Sequence, residues 1–100
     1  MIVVFGGAFN PVTKAHIEVC DFVLGKYPDA KFVFLPVSSG YTKSDLASNY
    51  HRVNMLEIAV EKRKNVSINM MEISDTDFLG TYQSLLRISD RYQDDVYFVV

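Results

Sequence analysis

The sequence is short of most features that would take it out of the ordinary soluble class. It has a single cysteine, Cys20, in 100 residues. That excludes an intrachain disulfide and a thiolate metal cage, and it fits a reducing, cytoplasmic compartment. It has no excess of positive charge: ten Lys and Arg against twelve Asp and Glu, a net charge of -2. A broadly basic nucleic-acid footprint is thereby excluded, and only a local basic pocket is left open. No apolar run approaches the roughly 20 residues of a membrane span. The opening "MIVVFGG" has no basic n-region and meets glycine within a few residues, so a secretory signal peptide is not expected there. Internal repeats and low-complexity segments are lacking. So is any metal-ligand spacing around the two histidines, His16 and His51. What is left is an apolar content of 49% and a charged content of 22%, ordinary for one small globular domain or part of a larger one.

The patterning that is present alternates two kinds of segment. "MIVVF" is a continuous apolar run ending at glycine, the pattern of a strand buried on both faces. Residues from about Thr13 to Tyr27 predict a helix, with His16, Val19, Cys20, Val23, Leu24 and Tyr27 as its inner stripe. Proline in "YPD" stops it. "AKFVFLP" predicts a second buried strand, followed by the polar loop "VSSGYTKSDLAS". Ser48 is placed to cap a second helix, roughly Asn49 to Lys62, whose apolar face is Val53, Leu56, Ala59 and Val60. "NVSINMM" predicts a third strand. A helix from about Thr81 to Tyr92 carries Tyr82, Leu85, Leu86 and Ser89 on one side, and "DDVYFVV" predicts a fourth strand. Strands alternating with helices imply right-handed crossovers and a Rossmann-like α/β fold: a parallel sheet with helices on both faces. Because "VYFVV" breaks off inside a buried-type strand, the sequence is expected to be the N-terminal part of a longer domain, an edge strand being the alternative. An uncovered terminal strand would also invite self-association.

The most informative stretch is "GGAFNPVTKAH", Gly6 through His16. It follows the carboxyl end of the first strand, where parallel sheets bind ligands. Gly6 and Gly7 can adopt backbone angles closed to other residues and present bare N–H groups. Phe9 can cover a flat ring or fill the core. Asn10-Pro11 is a turn signal. Thr13 falls near a helix N-terminus, where free N–H groups and the helix dipole favour phosphate. Thr13 and His16 are three apart and share one helical face. Each piece has a plain alternative: glycines for a tight turn, Thr13 as a cap, His16 as a core histidine. Their combination at the end of a first strand favours a phosphate-binding corner. Elsewhere, His51 at a helix entry, "EKRKN" at a helix end and "DTD" at Asp75 to Asp77 read as solvated polar positions.

The stretch resembles the nucleotidyltransferase signature G-G-x-F-[DN]-P-x-[HT]-x-G-H, with Gly6, Gly7, Phe9, Asn10, Pro11, Thr13 and His16 matching and Ala15 in place of the usual glycine. Thr13 at its position is also found in phosphopantetheine adenylyltransferases. Later stretches resemble bacterial nicotinate-nucleotide adenylyltransferase: "KFVFLPV", Lys43 after the second strand, "YHRVNMLEIAV" with Arg52, and "GTYQSLLRISDRYQDDVYFVV" with Thr81 and Tyr82. The resemblance implies one nucleotidyltransferase-like domain over residues 1–100 and an adenylyl transfer from ATP to nicotinate mononucleotide, giving deamido-NAD and pyrophosphate. It implies His16 and Thr13 as the catalytic pair at the phosphates. Gly6, Gly7, Ala8 and Phe9 would form the nucleotide seat, and Lys43 would add a cation beside it. Thr81, Tyr82 and Arg52 would meet the acceptor. Mg²⁺ would arrive on the ATP phosphates, with no protein metal cage. Two alternatives stay open: a sibling enzyme with another phosphorylated acceptor such as phosphopantetheine, and a nucleotide-binding module without catalysis.

Overall fold

A computed structural model describes residues 1–7, 9, 11–36, 49–70 and 81–99, with the side chains of 49, 50 and 81–85 outside that description. The element order is β1 (Ile2–Gly7), α1 (Lys14–Lys26), β2 (Lys31–Pro36), α2 (Asn49–Val60), β3 (Val66–Ile68), α3 (Thr81–Tyr92) and β4 (Val96–Phe98). The strands form one sheet in the order β3-β2-β1-β4. All its pairings are parallel, with Ile2 opposite Lys31 and Gly7 opposite Pro36, Ile2 opposite Val96, and Phe32 opposite Val66. The chain thus steps outward from β1 through β2 to β3, then returns across the sheet to place β4 on the other side of β1. Strand order reverses at β1.

Alternation along the strands divides the core into two layers. Val3, Phe32 and Phe34 face one side and pack with Cys20 of α1 and with Leu56 and Val60 of α2. Ile2, Val4, Val33 and Leu35 face the other and pack with Ile88 of α3. Helices therefore cover both faces, as the continuous apolar runs of β1 and β2 predict. Arg63 joins the first layer's helices from outside: Nε and Nη2 donate to Asp21 of α1 at 2.8 and 3.0 Å, and Nη1 donates to the Ala59 carbonyl of α2 at 2.8 Å. That guanidinium, bonded to its carboxylate, holds Asp21 below the usual carboxylate range. Burial, aided by the neighbouring Asp21 charge, pushes the Cys20 thiol up to about 11.

Several local expectations need correction. β1 runs on through Gly6 and Gly7, which are paired with Leu35 and Pro36 rather than turning. Among the described side chains of α3, Ile88 is fully buried whereas Leu86 is exposed; those of Tyr82 and Leu85 lie outside the described residues. Tyr27, expected inside α1, is exposed too, because the helix ends one residue before it. Ile17 packs against the core in its stead.

Candidate functional site

The corner after β1 is built in three steps. First, β1 delivers Gly6 and Gly7 to the carboxyl edge at the point where strand order reverses. Neither glycine needs a left-handed backbone; the constraint is space. A Cβ on Gly6 would meet the Phe98 ring at 3.3 Å, and one on Gly7 would touch the Phe9 ring at 3.5 Å. Aromatic side chains from β4 and from the turn thus lie over both bare positions. Second, the left-handed backbone belongs to Phe9, at φ 47°. A non-glycine residue there carries strain of about 1–3 kcal/mol. Its ring is 3% exposed, so of the two roles open to Phe9 its ring fills the core and does not present a face to a ligand. Third, Pro11 turns the chain into α1, which Thr13 caps in an extended conformation.

His16 sits in the first turn of α1. The Thr13 main-chain N–H donates to its Nδ1 at 2.9 Å, and Thr13 Oγ1 lies 3.1 Å from the same nitrogen. This is the return bond of a capping box, with imidazole in the place usually held by a Glu or Gln carboxyl or amide. A main-chain N–H can only donate, so Nδ1 is unprotonated and the proton of the neutral ring is on Nε2. His16 is therefore set up as a hydrogen-bond donor through Nε2. Its ring is walled by Phe9 at 5.0 Å and 80° and by Phe5 at 5.7 Å and 63°.

Around it the α1 terminus is electropositive. The first intrahelical bond runs from Ile17 N–H to the Thr13 carbonyl, so the N–H groups of Lys14, Ala15 and His16 precede the helical ladder. The first turn carries no acidic residue, and Thr13, Lys14 and Ala15 are exposed. The N–H groups of Lys14 and Ala15, the helix dipole, a threonine hydroxyl and an Nε2–H donor together suit an oxyanion such as phosphate. A separate cavity of about 380 Å³, lined by Val12, Thr13, Lys14, Ile17, Glu18 and Ala59, opens between α1 and α2. It shares Thr13 and Lys14 with the corner.

The structure thus brings Gly6, Gly7, Phe9, Thr13 and His16 together at one end of the sheet. Ala8, Asn10 and Lys43 lie outside the described residues, as do the side chains of Thr81 and Tyr82. Arg52, expected to meet the acceptor, is a described residue. It lies in the first turns of α2 with 1% exposure, on the stripe that also buries Leu56 and Val60. Desolvation lowers its pKa from the usual guanidinium value. Two residues that sequence reasoning passed over belong to the site: Phe5, whose ring touches His16, and Phe98, whose ring covers Gly6. The only available signal was their position at strand ends beside the glycines. Among the described residues, no three His, Cys, Asp or Glu side chains converge as a metal site. No described helix is long and apolar enough to cross a membrane.

The chain is 36% identical over 101 residues to a probable nicotinate-nucleotide adenylyltransferase of Acholeplasma laidlawii (strain PG-8A), covering 100% of this chain and 53% of that protein. It is 31% identical over 102 residues to the Staphylococcus haemolyticus (strain JCSC1435) protein of the same description, covering 99% and 53%. Against nicotinamide/nicotinic acid mononucleotide adenylyltransferase 1 of Bos taurus it is 29% identical over 96 residues, covering 90% and 34%. The chain spans about half the length of the two bacterial relatives. The model of the cytidylyltransferase-like family matches residues 4–100, and the chain belongs to that family.

Proposed function

We propose that the protein is an adenylyltransferase of NAD biosynthesis, transferring the adenylyl group of ATP to nicotinate mononucleotide. The observation that carries the reading is the pair Thr13 and half-buried His16 on one face at the N-terminus of α1, with Thr13 N–H on His16 Nδ1 leaving Nε2 as the donor nitrogen. The names of the relatives support the nicotinate acceptor.

In the reaction an acceptor phosphate oxygen forms a bond to the α-phosphorus of ATP. The bond from that phosphorus to the β-bridging oxygen breaks, and pyrophosphate leaves with the electron pair. A phosphate nucleophile is already anionic, so no base is needed to activate it. That matches a histidine whose only free lone pair is taken by Thr13 N–H. Catalysis is then positioning and charge stabilisation. His16 Nε2–H donates to an α-phosphate oxygen as it gains charge. The Thr13 hydroxyl and the N–H groups of the first turn hold phosphate oxygens. Gly6 and Gly7, with Ala8, let the nucleotide approach the backbone. Phe9 shapes that seat from beneath. Lys43 adds a positive charge beside the phosphates, and Thr81 and Tyr82 meet the acceptor. Arg52, in the first turns of α2, is assigned to the acceptor with them. Mg²⁺ enters with ATP, as part of the substrate.

The test is pyrophosphate release by the intact protein with ATP and nicotinate mononucleotide, beside parallel assays with nicotinamide mononucleotide and phosphopantetheine. The expected result is a kcat/KM highest with the nicotinate form. A preference for phosphopantetheine would move the protein to a sibling activity. ATP binding by calorimetry without turnover on any acceptor would refute catalysis.

A further inference from the structure

Phe9 is buried, yet it holds a backbone conformation that its own side chain disfavours, at φ 47°. It is flanked by Gly7 and by the turn at Pro11, and a glycine at position 9 would take that conformation without strain. The reason for an aromatic residue must therefore lie in the ring. The ring reaches three others: His16 at 5.0 Å and 80°, Phe5 at 5.4 Å and 87°, and Phe34 at 5.3 Å and 77°. Phe5 in turn touches His16 at 5.7 Å. Phe5, Phe9 and His16 close a triangle of edge contacts, anchored on Phe34 in the fully buried part of β2. Two walls and one hydrogen bond leave the imidazole no free rotation. Swinging about its Cβ–Cγ bond would break the Thr13 bond to Nδ1 and turn Nε2 away from the helix end.

We propose that Phe9 is a positioning residue for His16, with Phe5 as the second wall. Together they hold the imidazole in the orientation that keeps Nδ1 on Thr13 and aims Nε2–H at the phosphate corner. This rests on the adenylyl-transfer reading for its effect on rate, but not for its effect on the ring. Phe9 touches no reacting atom; it acts through the imidazole.

The experiment uses the intact protein with ¹⁵N-labelled histidine and the variants Phe9→Leu, Phe5→Leu and Phe32→Leu. Phe32 touches Phe5 and Phe34 but has no ring contact with His16, so it controls for a general loss of core packing. At alkaline pH the wild-type His16 is expected to show one pyridine-type nitrogen, Nδ1, and one pyrrole-type nitrogen, Nε2. In Phe9→Leu these two shifts should converge as the tautomers mix. Its kcat should fall on the order of 10- to 100-fold, the cost of misplacing a catalytic group. Phe32→Leu should lose stability but keep the wild-type shifts and a kcat within about twofold. Unchanged His16 shifts in Phe9→Leu overturn the proposal, as do equal shifts in Phe9→Leu and Phe32→Leu. If Phe9→Leu does not fold, Phe5→Leu carries the same reading of the His16 shifts. Mixed tautomers with undiminished turnover would refute the donor role of His16 and leave the positioning intact. Absence of transfer in the wild type refutes the function, and the shifts still decide the clamp.

Discussion

His16 has two separable duties, and a pair of substitutions divides them. Its Nδ1 accepts the Thr13 N–H at 2.9 Å, a structural bond. Its Nε2–H is the donor for the phosphate. His16→Ala removes both. The lost cap costs about 1 kcal/mol, and the two ring edges against Phe5 and Phe9 about as much again. The sum of about 2 kcal/mol should lower the urea midpoint by roughly 1 M. His16→Glu restores an acceptor for the Thr13 N–H, in the residue type that a capping box prefers and at a helix end that favours a carboxylate. It should recover about 1 kcal/mol relative to alanine. It offers no donor, however, and sets a negative charge where phosphate must come. Loss of a preorganised donor costs on the order of 10²–10³ in kcat, so both variants should lose transfer and the glutamate variant should lose more. The assays are urea denaturation and pyrophosphate release on the intact protein. If the glutamate variant is no more stable than the alanine one, the Nδ1 bond is not what holds the helix end. If either variant keeps kcat within tenfold of wild type, His16 is not the donor.

Three further outcomes follow from the same contacts. Arg52→Ala empties a site of 1% exposure and should cost about 2–4 kcal/mol in urea denaturation; a loss under about 0.5 kcal/mol would mean that the guanidinium is not in the core. Cys20, buried and with its thiol pushed up to about 11, should resist iodoacetamide in the native state at neutral pH and react only on unfolding, and rapid native labelling would contradict its burial. Asp21 has a depressed pKa beside Arg63, so its pairing stabilises the fold above the unfolded carboxylate value and is lost as pH falls through the folded one. Both partners are partly exposed, which keeps the effect under about 1 kcal/mol; Asp21→Asn should flatten the acid limb of the stability–pH curve by that amount.

Much of the fold could be read because apolar runs and glycine or proline breaks are local signals. The seven elements, their parallel pairing and the two helical faces follow from them. What failed was decided between segments. Gly6 and Gly7 suggest a turn by composition, but the partner residues Leu35 and Pro36 extend the ladder through them. Among the described side chains of α3, Ile88 is buried and Leu86 is not, because the sheet face it meets, Val4 and Leu35, fixes the helix's rotation, and a stripe of mixed residues does not. The role of Arg52 at the acceptor rests on resemblance alone, and its burial depends on how α2 lies on the sheet. In the site, Thr13 and His16 could be paired from a spacing of three. Which nitrogen of His16 is the donor could not, since it depends on the 2.9 Å bond from Thr13.

Ala15 is the one place where the chain departs from the signature it otherwise matches, and the structure says what kind of departure it is. The residue is exposed in the first turn of α1, between the cap Thr13 and His16. Its contribution to an anion site is the main-chain N–H, which alanine keeps. Its methyl meets no buried wall, so the fold does not require a glycine here. Alanine also favours the helix over glycine by about 1 kcal/mol, which stiffens the turn that carries His16. Any cost of the methyl must therefore fall on the ligand's approach and not on the protein's own packing. Ala15→Gly should then lower KM for ATP if the methyl obstructs the seat, while lowering stability by about 1 kcal/mol. A fall in kcat without any change in KM would instead mean that the stiffness of this turn, which orients His16, matters more than the space above it.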